Sequence, residues 1–235
     1  MPGRVWEDPD LRDRTLVFTD RKDAGSRLGA FLRDTIAPQD PVVCAIPAGG
    51  VPVGVMAAGL LGCPLVTAVV RKVRVPGNPE AGIGAVTWDG RVMLNRPLIA
   101  RLGLTDREVD AAVAETMENV RHRVARFAPD RDIALDGRTA IAVDDGLASG
   151  YTMRAAVAAI RAAGPAVCLV AVPTGSRHAV EALASEADGV ISLNIRSGPV
   201  FAVADAYEHW HDLTDEEVAA WLDRLTPPGE PESGR

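Results

Sequence analysis

Residues 139–164 read TAIAVDDGLASGYTMRAAVAAIRAAG. The first five make a short apolar run of strand length, and the Ala-rich segment from 151 onward is a strong helix former. Between them stand two adjacent carboxylates, Asp144 and Asp145, and a run of small residues ending at Gly150. A turn from strand to helix needs one Gly or one Asp, so the full set points to a ligand. Gly146, Ala148, Ser149 and Gly150 let the backbone approach a bound group closely. The helix start adds unsatisfied N–H groups and the positive end of its dipole, which together suit a phosphate. Ser149 and Thr152 add hydroxyl donors. Two acids would repel a bare phosphate. A ribose removes the conflict if its hydroxyls donate to Asp144 and Asp145 while its 5-phosphate reaches the loop. A Mg²⁺ held through water would also offset the paired charge. The plain alternative is a strand-to-helix turn capped by Asp. The stretch matches neither GxxxxGK[ST] nor GxGxxG, which argues against an ordinary P-loop or dinucleotide site.

Working outward, the same alternation recurs. Strands are predicted at 41–46, 64–70, 139–143, 166–173 and 189–194, with helices at 50–62, 150–163 and 176–187 between them. This predicts an α/β fold, a doubly wound, mainly parallel five-stranded sheet flanked by helices. Residues 71–84, rich in Pro and Gly, read as a long loop, and 85–94 as a hairpin around Asp89-Gly90. Thr105 and Glu108 form a capping box ahead of an apolar stripe, Val109, Val113, Met117, Val120, Val124 and Phe127. Arg121, His122, Arg123 and Arg126 on that helix read as a solvated face. A second capping box, Thr214 and Glu217, opens a closing helix at 214–225.

In such sheets ligands sit beyond the carboxyl ends of the strands. The segments to watch are therefore 47–50, 71–72, 144–152, 173–176 and whatever follows Asn194. In PAGG (47–50), Gly49 and Gly50 either expose N–H groups to an anion or allow tight packing of helix on strand. Arg71 and Lys72 form a basic pair able to clamp phosphate oxygens.

Net charge is −7 over 235 residues, which argues against nonspecific nucleic-acid binding. The three cysteines, Cys44, Cys63 and Cys168, form no CxxC pair and read as buried reduced thiols of a cytoplasmic protein. No residue from Pro41 to Val70 is charged, a run longer than a membrane span. The prolines and glycines of PAGGVPVG break it into strand- and helix-sized pieces, so no membrane association is expected.

VDDGLASGYTM (143–153) resembles the phosphoribosylpyrophosphate motif of type I phosphoribosyltransferases. The similarity extends from FTDRKDAGSRLGAFL (18–32) through IPAGGVPVG and VVRKVRVPGNPEAGIGAV to HWHDLTDEEV (209–218), and so covers most of the chain. It is closest in order and spacing to a bacterial branch of stand-alone members whose acceptors are poorly defined. The resemblance implies a core over 18–200 with a mobile lid at 73–84, and a small hood and closing helix built from 1–17 and 201–226, followed by a disordered tail at 227–235. It implies Mg²⁺ as cofactor and phosphoribosylpyrophosphate as donor. By that resemblance Asp144 and Asp145 hold the ribose hydroxyls, or the metal through water. Ala148, Ser149, Gly150, Tyr151 and Thr152 cradle the 5-phosphate. Ala48, Gly49 and Gly50 form the pyrophosphate loop, and Arg71 and Lys72 act on the leaving pyrophosphate. Two positions depart from the branch. Its pyrophosphate loop usually reads PRGG, so Ala48 stands where a basic side chain is expected; its phosphate loop usually reads ATGAT, against ASGYT here.

The implied activity is transfer of the 5-phosphoribosyl group to a nucleobase or other nitrogen heterocycle, with release of pyrophosphate. Ala48 motivates an alternative, a regulator that binds phosphoribosylpyrophosphate or a nucleotide without turnover. A third reading keeps the site and changes the reaction to phosphorolysis or hydrolysis of a nucleotide. Phe201, Tyr207, His209, Trp210 and His211 either stack on a base or, more simply, anchor the last helix to the core. A homodimer is the default expectation for a soluble enzyme.

Overall fold

The computed structural model describes residues 3–127 and 134–224. Its strands are β1 (Arg4–Trp6), β2 (Pro41–Ala45), β3 (Leu65–Thr67), β4 (Val70–Val75), β5 (Asn78–Thr87), β6 (Val92–Leu94), β7 (Thr139–Val143), β8 (Val167–Ser176) and β9 (Gly189–Arg196). The α-helices are α1 (Arg21–Phe31), α2 (Gly50–Leu61), α3 (Arg96–Leu102), α4 (Asp106–Phe127), α5 (Tyr151–Ala162), α6 (Arg177–Leu183) and α7 (Asp215–Asp223). Six strands form one sheet in the order β1-β9-β8-β7-β2-β3, every pair parallel. The predicted sheet had five. The sixth is β1, whose three residues pair with β9 at Gly189, Val190 and Ile191. A strand of three residues carries too little periodicity to be recognised, which is why this segment read as part of a cap. The predicted tail at 227–235 lies outside the described residues.

Successive side chains of the central strands go to opposite layers, as the period of two requires. Ala140 and Ala142 of β7 face the layer of α5 and α6, with Met153, Val157, Ile160 and Leu183. Ile141 and Val143 face the layer of α1, α2 and α7, with Leu28, Val53, Val218 and Leu222. All five residues of β7 are buried, so the strand shows no alternation of polarity. The chain runs from β2 outward to β3 on one side, and from β7 through β8 to β9 on the other. The direction of progression therefore switches between β2 and β7, which makes the crevice at their carboxyl ends the expected ligand position.

A second, antiparallel sheet, β4-β5-β6, packs on α3 and α4 through Val73, Ile83, Val86, Ile99, Val109 and Val120. It corrects the reading of 71–84 as a loop. β4 and β5 are a hairpin with an irregular register at Arg74, turning through Pro76 and Gly77. Prolines and glycines that signal a loop here mark its turn and bulge instead. The apolar run 64–70 is likewise divided between the two sheets, and residues 173–176, expected beyond the end of a strand, lie within β8. The ladder steps over Pro173, with Val172 opposite Ser192 and Thr174 opposite Asn194. The hairpin around Asp89-Gly90 and both capping boxes are present. On α4, Arg121, His122 and Arg126 are exposed, as read, while Arg123 is half-buried. Arg123 pairs with Asp215, and Arg126 with Glu216 at 2.7 Å, docking α4 on α7. No described helix is long and apolar enough to cross a membrane.

Because Ile141 is fully buried at the centre of the sheet, Ile141→Ala is expected to cost about 2–5 kcal/mol. Thermal unfolding should report a drop in Tm on the order of 10 °C. A loss below about 1 kcal/mol would be incompatible with a well-packed central strand.

Candidate functional site

The carboxyl end of β7 leads directly into Asp144 and Asp145. Beyond them, Leu147 is clipped to β8: its N–H donates to the Thr174 carbonyl at 2.9 Å, and its own carbonyl accepts from Ser176 N–H at 2.8 Å. The Ser176 hydroxyl donates to the Ala148 carbonyl at 2.7 Å. These bonds hold the loop at its base and leave Ala148 and Ser149 exposed. Gly150 then adopts φ +72°, a conformation that glycine takes without strain, and α5 begins. The first N–H groups of α5 have no intrahelical acceptor, and the exposed small-residue loop and the helix start lie together at the carboxyl end of β7.

The segment after β2 lies against the same strand end. A Cβ on Gly49 would fall inside the Asp145 carboxylate, and one on Gly50 would lie 2.5 Å from the Val143 carbonyl oxygen. Close packing is thus a sufficient reason for both glycines. The N–H of Gly50 is also committed, donating to the Ile46 carbonyl at 3.0 Å.

A cavity of about 270 Å³ opens between these two strand ends. It is bounded by Ala48, Asp144, Thr152 and the basic strand β4, through Arg71, Lys72 and Arg74. Of the residues singled out from the sequence, it gathers Ala48, Arg71, Lys72, Asp144 and Thr152. Gly49, Gly50, Ala148, Ser149, Gly150 and Tyr151 flank it in the chain without lining it. Arg74 was missed; it lies two residues beyond Lys72, the spacing that a strand would place on one face. A larger groove, about 550 Å³, continues from the same three basic residues between the β4–β5 hairpin and α4.

The two acids have different surroundings. Asp145 Oδ2 accepts from Arg21 Nε at 2.8 Å, and its backbone carbonyl accepts from the Tyr207 hydroxyl at 2.6 Å. Its N–H donates to Asp144 Oδ1 at 2.9 Å. Burial pushes the Asp145 carboxyl up, and Arg21 opposes that rise. Asp144 is held well above the usual carboxylate range, first by burial and then by the negative charge of Asp145. Burial, with Arg123 and Arg74 nearby, loosens the hold of Arg71 on its proton. Arg21 was also missed in the sequence. A cation in the first turn of a helix opposes the dipole, and that misfit was the available signal.

Phe201, Tyr207, His209, Trp210 and His211 do not line the cavity. Tyr207 is buried, 5.7 Å from Phe18 and 5.0 Å from Trp210 between ring centroids, in the same layer as Val218 and Leu222 of α7. The anchoring reading of this cluster is the one its packing follows.

Among the described residues no three His, Cys, Asp or Glu side chains converge to hold a metal ion. Asp144 alone among them offers a carboxylate to the cavity. That donor set fits a hard cation that takes the rest of its shell from water and substrate oxygens, as Mg²⁺ commonly does.

An acid, a small-residue loop at a helix start and a basic strand thus meet around the switch point of a parallel α/β sheet. The phosphoribosyl transferase domain family model matches residues 19–204. Two strains of Mycobacterium tuberculosis carry relatives named "Putative phosphoribosyl transferase MT0597" and "Putative phosphoribosyl transferase Rv0571c". Each is 38% identical over 209 residues, covering 88% of this chain and 47% of the relative. The chain thus spans about half the length of the curated relatives it matches. The crystal structure of TT1426 from Thermus thermophilus superposes with a TM-score of 0.74 at 34% identity, covering 90% of this chain and 100% of that one. The chain belongs to the type I phosphoribosyltransferase family.

The state of Asp144 has a measurable consequence. A carboxyl whose folded pKa is raised stabilises the fold while protonated, and that contribution is lost as pH rises through the folded pKa. Asp144→Asn should therefore raise Tm at about pH 8, with the gain shrinking toward about pH 4. An unchanged or lowered Tm at the higher pH would contradict an unneutralised acid at this position.

Proposed function

We propose that the chain transfers the 5-phosphoribosyl group of phosphoribosylpyrophosphate to a ring nitrogen of a nucleobase or related heterocycle, releasing pyrophosphate. The observation that supports this most is the cavity in which Asp144, Thr152 and the cations of β4 meet. One carboxylate for ribose hydroxyls, a helix start for the 5-phosphate and three cations for pyrophosphate match the parts of that donor in order.

In this reading the 5-phosphate lies on residues 148–152, held by the N–H groups of α5 and the hydroxyls of Ser149 and Thr152. Asp144 accepts from the ribose hydroxyls and fixes the ring. The pyrophosphate extends past Ala48 toward Arg71, Lys72 and Arg74. The C1–oxygen bond breaks with its electron pair leaving on pyrophosphate, and the acceptor nitrogen supplies the pair for the new bond to C1. Positive charge builds on the ribose as the bond lengthens, as in glycoside cleavage. The guanidiniums and ammonium of β4 offset the negative charge gathering on the leaving group, where electrostatic stabilisation has its largest effect. Mg²⁺, when bound, would add charge neutralisation at the pyrophosphate, with Asp144 holding it directly or through water. Arg74 bears on the absent base at position 48, because it supplies a third cation to a cavity whose pyrophosphate loop contributes none. Buried Cys44 and Cys168, whose thiols burial pushes up, suit a reducing compartment, and we place the reaction in the cytoplasm.

The test supplies phosphoribosylpyrophosphate and Mg²⁺ with a panel of nitrogen heterocycles and measures pyrophosphate release. Release that depends on both donor and one acceptor is the expected result. Arg74→Met should lower that rate by about tenfold or more. Donor binding with no release for any acceptor would replace the enzyme with a sensor, and pyrophosphate-free cleavage of a nucleotide would replace transfer with hydrolysis. Absence of donor binding would overturn the reading altogether.

A further inference from the structure

Arg21 lies in the first turn of α1 and is only 8% exposed. A cation there gains nothing from its own helix. Its partners come from two distant parts of the chain. Nε donates to Asp145 Oδ2 at 2.8 Å, a second guanidinium nitrogen donates to the His211 carbonyl at 2.9 Å, and the guanidinium carbon lies 3.8 Å from the centre of the Trp210 ring. Asp145 is in turn held by the Tyr207 hydroxyl on its carbonyl, and its N–H reaches Asp144 Oδ1. Asp145 is thereby fixed at its side chain by Arg21, at its carbonyl by Tyr207, and at its amide by Asp144.

We propose that Arg21 is a positioning residue for phosphoribosyl transfer: by anchoring Asp145 it aims that residue's N–H at Asp144, and so orients the carboxylate that faces the donor. The inference rests on the reading of the cavity as a phosphoribosyl-donor site. It gives Asp145 a different part from the one its neighbour plays. Asp144 meets the ligand, whereas Asp145 carries the force of Arg21 to it. The planar guanidinium suits this role because it bonds in two directions while stacking on Trp210, which an ammonium cannot do. The segment containing Tyr207, Trp210 and His211 therefore reaches Asp144 through the hydrogen bonds of the His211 carbonyl to Arg21, of Arg21 and the Tyr207 hydroxyl to Asp145, and of Asp145 to Asp144, with Trp210 against the guanidinium, although none of these three residues lines the cavity. Removing one partner of the buried pair leaves the other charge uncompensated, so the two residues should behave as one unit.

The experiment measures Mg²⁺–phosphoribosylpyrophosphate affinity by calorimetry for the full chain and for Arg21→Met, Asp145→Ala and the double variant, with thermal melts to establish folding. Each single change should weaken binding about tenfold or more, and the double variant should lie within about threefold of the weaker single. A roughly hundredfold loss in the double variant, the product of independent effects, would overturn the inference, as would unchanged affinity in Arg21→Met. If Arg21→Met does not fold, Arg21→Lys serves in the same cycle. It should weaken binding beside Asp145 and have no effect beside Ala in its place; equal losses in both backgrounds would overturn the proposal. A wild-type chain that does not bind the donor would instead remove the donor reading, and this inference with it.

Discussion

Two adjacent carboxylates at the buried end of a strand repel each other and lose their hydration, so the site depends on how that charge is met. Here the two acids are met differently. Arg21 neutralises Asp145 from the α1 side at 2.8 Å, while Asp144 faces the cavity, its carboxyl raised by burial and by the charge of its neighbour. Under the proposed function, relief at Asp144 comes from what a ligand carries in, a ribose hydroxyl proton or a hard cation accompanying an anionic donor. Under that same function, an acid pair that looks redundant in the sequence is an anchor and a working group, separated by one peptide bond.

The rest of the architecture brings groups to that working carboxylate. The switch in strand order between β2 and β7 opens the crevice. Glycine at positions 49 and 50 lets the loop after β2 close on the end of β7, where any Cβ would collide. The hairpin of the antiparallel sheet brings Arg71, Lys72 and Arg74 to the opposite wall. Arg71 lies close enough to Arg123 and Arg74 to be disturbed by both, and its counter-charge, Asp215, is already paired with Arg123.

Much of this was legible in the sequence because it rests on local patterns. The strand–acid–small-loop–helix order of 139–164 specified the parallel unit and put the acids and the small-residue loop at its carboxyl edge, and the capping boxes marked α4 and α7. What escaped depends on distance along the chain. β1 is too short to show a period and exists only because β9 offers it an edge. The β4–β5 hairpin carries the prolines and glycines of a loop, and its strand character comes from pairing and from packing on α4. Arg21 lies 124 residues from Asp145, so no spacing rule joins them; only its awkward place at a helix start hints at a remote partner. The aromatic cluster at 201–211 has the composition of a base-stacking wall and of an anchor alike. The packing of Tyr207 on Trp210, beneath Arg21, decides for the anchor.

The central claim is that Asp144 and the start of α5 hold the ribose 5-phosphate portion of the donor, with the β4 cations reserved for pyrophosphate. A crystal structure with ribose 5-phosphate bound tests it most directly. The account predicts the phosphate on residues 148–152 and the ring hydroxyls on Asp144, with Arg71, Lys72 and Arg74 untouched. Phosphate lodged instead among those three cations, with Asp144 out of contact with the sugar, would contradict it.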